Sequence, residues 1–152
     1  MTIDADAFID GYVECALWAD CMPHEDHRYN PAPFCSKCGG ACRMGNGELG
    51  GCEGLELRDG AREKMSVDCL AFIEANEADL LTYCEQRTYD PSQGEVESYA
   101  GHDFWLTRSG HGAGFWDRGL GALGERLTEA SKAYGSPDDH RPYDCGDGTA
   151  DC

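Results

Sequence analysis

The stretch GHDFWLTRSGHGAGFWDRG, residues 101–119, decides the predicted fold, because it combines five glycines with four aromatic residues in a short span. Its FWLT run alternates in the manner of a strand with two different faces. Gly110 and His111 fit a two-residue turn, since Gly110 can adopt the positive φ that such turns need. We therefore predict an antiparallel hairpin in which Trp105 lies opposite Trp116.

Three helices are predicted around this hairpin. Residues 4–20 and 61–87 each carry apolar side chains at helical spacing. A third helix is expected to begin at Asp117, a suitable N-cap, and to end at Tyr134. A chain of 152 residues suits a single domain, residues 1–152. The predicted fold class is therefore α+β, with about three helices packed on a short antiparallel hairpin.

Residues 21–57 interrupt the helical pattern with a segment rich in Cys, His, Gly and Pro, which lacks the apolar residues for a core of its own. Cys35 and Cys38 form a C-x2-C pair followed by two glycines, a typical turn for two thiolates on one ion. We predict a zinc-knuckle-like insertion whose folding depends on a structural zinc ion. The predicted ligands are Cys21, His24, Cys35 and Cys38, with His27, Cys42 and Cys52 as alternates.

Two other interpretations of this insertion remain open. Cys35, Cys38, Cys42 and Cys52 would suffice for an iron–sulfur cluster, although their spacing matches neither common ferredoxin pattern. Alternatively, these cysteines bind no ion. If zinc binds, a closed, thiolate-rich set of ligands favours a structural role over a catalytic one.

The net charge of the chain and its expected cellular location narrow the range of possible partners. The formal net charge of −17 disfavours direct binding of nucleic acid or of an anionic membrane. The acidity either keeps the protein soluble or matches a basic surface on a partner. The first residues lack the basic start and apolar run of a secretory signal, and no segment has the apolar length of a membrane span. We expect a cytoplasmic location, where cysteines are thiols or metal ligands.

Residues 137–152 form a polar tail with Gly-Asp-Gly at its centre. Two interpretations are open for this tail. The glycines would allow a short hairpin joining residues 143–145 to residues 149–152. Otherwise the tail would be disordered, as chain ends often are.

The stretch from His102 to Gly119, HDFWLTR-x-GHGAGFWDRG, followed by a leucine-striped helix that ends in YGS at residues 134–136, resembles a known signature. It is similar to that of uncharacterised small acidic proteins encoded by bacteriophages, prophages and plasmids. That family has no assigned activity, so the resemblance implies a mobile genetic element and a bacterial host cell. Residues 21–57 depart from the family pattern, which makes them an insertion on its core.

The signature residues allow two classes of function. The candidates are His102, Trp105, Arg108, His111, Trp116 and Asp117. A histidine beside a carboxylate can act as acid or base, and a glycine-rich turn before a helix can bind phosphate. However, the sequence has neither a nucleophile elbow nor a Walker or dinucleotide motif. A small hydrolase or nucleotide-binding enzyme is therefore the second alternative.

The preferred prediction is a non-enzymatic protein that binds and modulates a host protein, with nucleic-acid-binding and defence proteins as the candidates. Exposed tryptophans such as Trp18 would suit the centre of such an interface. The first alternative is an anti-defence inhibitor, of antirestriction or anti-CRISPR type, that acts partly as a mimic of DNA. Asp6, Asp10 and Glu14 would supply its carboxylates, since they recur about 6 Å apart along the first helix.

The zinc prediction has a direct test. Protein purified under reducing conditions should contain about one zinc ion per chain by elemental analysis, because four ligands hold one ion. The double variant Cys35→Ser, Cys38→Ser should lose it. Cys84→Ser is the control, since Cys84 lies on the apolar side of the second predicted helix. Wild-type protein free of zinc and iron would contradict the prediction.

Overall fold

The computed structural model describes residues 2–21, 55–145 and 147–152. Helices dominate this part of the chain: α1 is Ala5–Ala19, α2 is Asp59–Gln86, α3 is Val96–Ser109 and α4 is Ala122–Lys132. Short 3-10 turns lie at Pro91–Gln93, Phe115–Asp117 and Asp138–His140. The strands are β1 Glu56–Leu57, β2 Tyr143–Asp144 and β3 Thr149–Asp151. The described fold is mostly helical, so the prediction of an α+β domain built on a hairpin is wrong.

The segment predicted as the first strand of the hairpin is mostly α-helical. Residues 101–109 belong to α3, and Gly110 ends that helix in the left-handed conformation, with φ 75° and ψ 30°. Its N–H donates to the Leu106 carbonyl over 3.1 Å, as at many helix C-termini. The need for a positive φ at Gly110 is confirmed, but the glycine ends a helix and does not turn a hairpin. The apolar residues Ala100, Phe104 and Trp105 recur at helical spacing and are buried together.

The helix after the signature starts later than predicted. Asp117 belongs to a 3-10 turn, and its Oδ1 accepts from the Gly114 N–H over 3.0 Å. Gly121, with φ 52°, is the N-cap of α4. Asp117 therefore stabilises the turn before α4 and does not cap this helix.

The first two predicted helices are confirmed. Asp4 caps α1, since its side chain accepts from the Ala7 N–H over 3.0 Å. α2 is kinked at Asn76, where φ is −128° and the side chain donates to the Phe72 carbonyl over 2.9 Å. The amide side chain thereby supplies a donor at the kink, where the backbone leaves helical geometry.

Aromatic rings from α1, α2, α3 and the turn Phe115–Asp117 form the centre of the core. Phe72 of α2 stacks on Phe104 of α3, with ring centroids 4.0 Å apart. Phe8 of α1 lies 6.0 Å from the Phe104 ring, and Phe115 lies 5.9 Å from the Phe72 ring. Such pairs add to the free energy of burial, which makes this cluster the main apolar contact between the helices.

Two glycines allow α1 and α3 to approach backbone to backbone. A methyl group on Gly11 would overlap the Ser98 carbonyl, and one on Gly101 would overlap the Phe8 carbonyl. These positions are inside their helices, where glycine costs about 1 kcal/mol relative to alanine. The close contact explains why glycine is needed there.

The tail forms a short hairpin, which is one of the two alternatives predicted for it. β2 pairs antiparallel with β3, and β3 pairs parallel with β1, giving the sheet order β1-β3-β2. Arg58 follows β1 and donates to Thr149 and Asp147 over 3.0 Å each. The tail is therefore attached to the last two residues of the insertion and to Arg58 directly after it.

Among the helices of the described residues, none is both long enough and apolar enough to span a membrane.

Gly101→Ala should lower the free energy of unfolding by about 1–3 kcal/mol, because overpacking at the α1–α3 contact outweighs the better helix propensity of alanine. Urea denaturation followed by circular dichroism measures this change. Gly60→Ala is the matched control, since Gly60 lies in α2 with open space around it. It should be neutral or stabilising by up to about 1 kcal/mol. Equal losses in both variants would contradict the close contact.

Candidate functional site

The signature residues lie on α3, on the loop after it and on the turn Phe115–Asp117. Most of their polar side chains point into the protein and contact other helices. They form three ionic clusters, named here after Arg108, Asp103 and Asp20. Because each cluster joins several elements, its geometry indicates what the signature does.

The Arg108 cluster joins α1, α2 and α3 to the residues that follow α4. The Arg108 side chain is only 3% exposed, and its Nη2 lies 2.9 Å from the Asp68 carboxylate of α2. Nη1 donates to the Tyr12 hydroxyl of α1 over 2.7 Å. The remaining donors reach the carbonyls of Tyr134 and Gly135, over 2.9 and 3.2 Å. A buried guanidinium with a carboxylate and three further acceptors is well satisfied, which is the condition for stable burial of a charge.

Tyr12 and His140 extend this cluster to the tail. Burial raises the pKa of Tyr12 well above its usual range, despite the opposing charge of Arg108. The hydroxyl therefore stays neutral, accepts from Arg108 and lies 3.3 Å from His140 Nδ1. Burial lowers the pKa of His140, while Asp68 opposes that shift. Because the Tyr12 oxygen accepts from Arg108 and its own hydrogen is left to donate, we assign His140 the neutral tautomer with its hydrogen on Nε2, so that Nδ1 accepts from Tyr12.

The Asp103 cluster connects α3 to α2 and to the end of the signature. The Asp103 carboxylate is buried, and Arg118 contacts its Oδ1 with Nη2 at 2.6 Å and Nε at 2.8 Å. The Tyr83 hydroxyl donates to its Oδ2 over 2.7 Å. Burial, together with the Asp103 charge, raises the pKa of Tyr83 well above its usual range. Tyr83 is thus a neutral donor, and Asp103 is a structural counter-ion to Arg118.

Thr107 folds the glycine-rich loop back onto α3. Its hydroxyl donates to the Asp103 carbonyl over 2.6 Å and accepts from the Phe115 N–H over 3.1 Å. Gly114 has φ 151°, and a methyl group there would overlap the Thr107 hydroxyl. The loop therefore requires glycine at this position for two separate reasons, its backbone angle and its close contact.

The Asp20 cluster fixes the C-terminal end of α1. Asp20 Oδ2 accepts from Trp105 Nε1 over 2.7 Å and lies 2.7 Å from His111 Nε2. Its Oδ1 accepts from Arg141 Nη1 over 3.3 Å. A carboxylate at a helix C-terminus is unfavourable with the helix dipole, so these partners offset that cost. His111 and Asp20 have the spacing of an acid–base pair, but the same carboxylate also holds two structural side chains.

The structure divides the predicted interaction residues between interior and surface. Trp105 and Arg108 are buried and contact other parts of the protein. Trp116 is 54% exposed, and Trp18, at 55%, is equally accessible. His102 is partly exposed, with its Nε2 3.3 Å from the Glu14 carboxylate. Only part of the signature is therefore available to a partner.

The exposed residues of α1 form one row, which we call the α1 ridge: Asp6, Asp10, Glu14 and Trp18. They recur every fourth residue, so they lie one above another on a single face. Arg62 forms an ion pair with Asp10, and His102 contacts Glu14. The row is therefore less negative than its three carboxylates alone would make it, and it ends in an exposed aromatic ring.

The metal prediction falls almost wholly outside the described residues. His24, His27, Cys35, Cys38, Cys42 and Cys52 lie outside them. Cys21 is described and is disulfide-bonded, so zinc binding by this residue would require its reduction. Within residues 2–21, 55–145 and 147–152, no group of three or more His, Cys, Asp or Glu side chains is placed to hold a metal ion. The zinc site remains a prediction.

The cysteines in the helices lie in the core or beside it. Cys15 and Cys69 are fully buried, and Cys84 is partly buried. Burial raises the pKa of the Cys15 and Cys84 thiols to about 12 each, and that of Cys69 further. Because the thiolate is the reactive form, these residues are packing groups and poor nucleophiles or ligands.

No protein-family model, curated protein or solved structure matches this chain.

Several cluster residues were missed in the sequence, namely Tyr12, Asp20, Asp68, Tyr83, Arg118 and His140. The position of Tyr12 fits the apolar face of α1, and that of Asp68 fits a solvated flank of α2. Only Asp20 carries a local signal, since an acidic residue at the end of a helix needs a compensating partner. The other partners are distant in sequence, and no local pattern indicates them.

Arg108→Lys should lower the free energy of unfolding by about 2–4 kcal/mol, because lysine cannot replace a guanidinium that bonds in several directions in the interior. Arg126→Lys is the matched control. Arg126 pairs with Asp79 on the surface through two contacts of 2.7 and 2.9 Å. An exposed pair contributes about 0–1 kcal/mol, so this variant should change little. Urea denaturation compares the two, and similar losses would show that Arg108 is not the main connection.

Proposed function

We propose that this protein acts by binding another protein in the bacterial cytoplasm, and that the α1 ridge is part of its binding surface. The polar signature residues Asp103, Arg108 and Arg118 support this proposal, because they bond to each other or to other interior groups. A catalytic site needs ionisable groups that are free to reach a substrate. These three side chains are instead committed to contacts within the protein.

Trp18 is the single observation that carries the proposal. It is 55% exposed on a helix whose other aromatic residues, Phe8 and Tyr12, are fully buried. Tryptophan is enriched at the energetic centres of protein interfaces, because it offers a large apolar area and one polar N–H. Exposure of such a side chain beside carboxylates favours a partner with an apolar pocket and a basic rim.

The charge of the protein supports a basic partner. A net charge of −17 attracts a positive surface and accelerates encounter with it. The nucleic-acid-binding cleft of a host defence enzyme is one such surface, as the resemblance to phage and plasmid proteins also suggests. A pure mimic of DNA is less favoured than a mixed interface, because Arg62 and His102 already contact two of the carboxylates. A structural zinc in the insertion remains part of this proposal.

Tagged wild-type protein should capture the partner from a bacterial lysate. Trp18→Ala should reduce the amount of captured partner by about tenfold or more, because truncation of a hot-spot residue costs at least about 2 kcal/mol. Trp116→Ala is the control, since Trp116 has almost the same exposure on a different element. Quantitative mass spectrometry of the captured proteins gives the comparison.

The triple variant Asp6→Asn, Asp10→Asn, Glu14→Gln tests the role of charge in the same experiment. It should reduce capture at low salt and flatten the salt dependence, since surface charges are screened over about 8–10 Å at physiological ionic strength. An identical partner list from wild type, the triple variant and Trp18→Ala would refute the proposal. Turnover of a substrate that depends on His111 would favour the enzyme alternative.

A further inference from the structure

The outward face of α2 carries an apolar surface that no other described element covers. Val67 is 63% exposed and Leu70 is 49% exposed, one turn apart. Ala71 and Ala75 continue the same face and are also exposed. Isolated exposed apolar residues are normal, but two large ones adjoining two alanines form a continuous strip. We call Val67, Leu70, Ala71 and Ala75 the α2 strip.

Four exposed residues of α2 also lie along one line, which we call the seam. Lys64, Val67, Ala71 and Glu74 are all exposed and are spaced by three, four and three residues. This spacing is the one by which two helices pack along each other. All four residues precede the kink at Asn76, so they lie on one continuous piece of helix.

The four residues of the seam are placed symmetrically about the level of residue 69. Val67 and Ala71 are each two residues from that level, and Lys64 and Glu74 are each five residues from it. In an antiparallel pair of identical helices, Val67 of one copy would therefore meet Ala71 of the other, a large residue against a small one. Lys64 of one copy would likewise meet Glu74 of the other, and two-fold symmetry makes each contact twice.

A parallel pair would lack this complementarity. It would place Glu74 against Glu74 and Lys64 against Lys64, and like charges in such positions repel. Lys64 is available for the antiparallel contact, because the bond from its Nζ to the Asp139 carbonyl uses only one of its three donors. The charges of Lys64 and Glu74 are therefore complementary in the antiparallel pair and not in the parallel one.

We propose that two copies of this chain associate through antiparallel α2 helices, with the α2 strip at the centre of the contact. The proposal does not depend on the function proposed above. A single helix pair buries less surface than a standard interface, and two copies of net charge −17 repel each other. The dimer is therefore weak and forms at high protein concentration and physiological salt.

Sedimentation equilibrium from about 5 to 500 µM, under reducing conditions and at about 0.15 M salt, tests this proposal. The average mass of wild-type protein should rise from monomer towards dimer as the concentration increases. Val67→Glu should weaken association by tenfold or more, because it places a carboxylate at the centre of the contact. Circular dichroism should show unchanged helix content, since Val67 is exposed. Glu125→Lys, at an exposed position of α4, is the control and should associate like the wild type, apart from a small gain from the lower net charge.

A charge exchange tests the direction of packing. Lys64→Glu and Glu74→Lys should each weaken association, whereas the double variant should restore it, because the two residues meet across the interface. A wild-type protein that stays monomeric throughout the concentration range would overturn the proposal. A dimer that tolerates Val67→Glu would place the interface elsewhere, and a double variant that fails to recover would refute the antiparallel arrangement.

Discussion

The close approach of α1 and α3 is the contact on which the rest of the structure depends. Gly11 and Gly101 allow the two backbones to touch, and this brings Tyr12 to 5.0 Å from the Trp105 ring. Only at this separation can Arg108 on α3 donate to the Tyr12 hydroxyl on α1. The Tyr12–Trp105 ring contact and the hydrogen bond from Arg108 to Tyr12 therefore depend on one backbone contact, which a single methyl group would disturb.

The ionic clusters give the signature a structural meaning. Asp103, Arg108 and Asp20 each connect elements that are distant in the chain, and each is satisfied by several partners. Removing one partner from such a cluster leaves an uncompensated charge in the interior, which costs more than the intact cluster contributes. Buried charges also discriminate against alternative packings of the helices, a role we infer here from their positions. A signature of this kind specifies a fold.

The C-terminal tail has a part in the fold that its polar composition did not suggest. Arg141 contacts Asp20 at the end of α1, and β3 pairs with β1, the last two residues of the insertion. The tail thus bonds to the residues on both sides of the segment 22–54. His140 adds a third connection through Tyr12. A short polar segment can do this because its bonds are made to groups already positioned by the helices.

The sequence alone determined α1 and α2, the core role of Cys15 and Cys69, and the positive φ at Gly110, because each depends on local spacing or on one residue's own conformational range. It did not determine α3. A run such as FWLT satisfies a strand period and a helix period equally over four residues, and packing of Phe104 and Trp105 against α1 selects the helix. The partners of Arg108 and Asp20 were likewise beyond the sequence, since ion pairs between residues 40 to 120 positions apart leave no periodic trace. Tertiary structure decided them because only folded helices bring those charges within bonding distance.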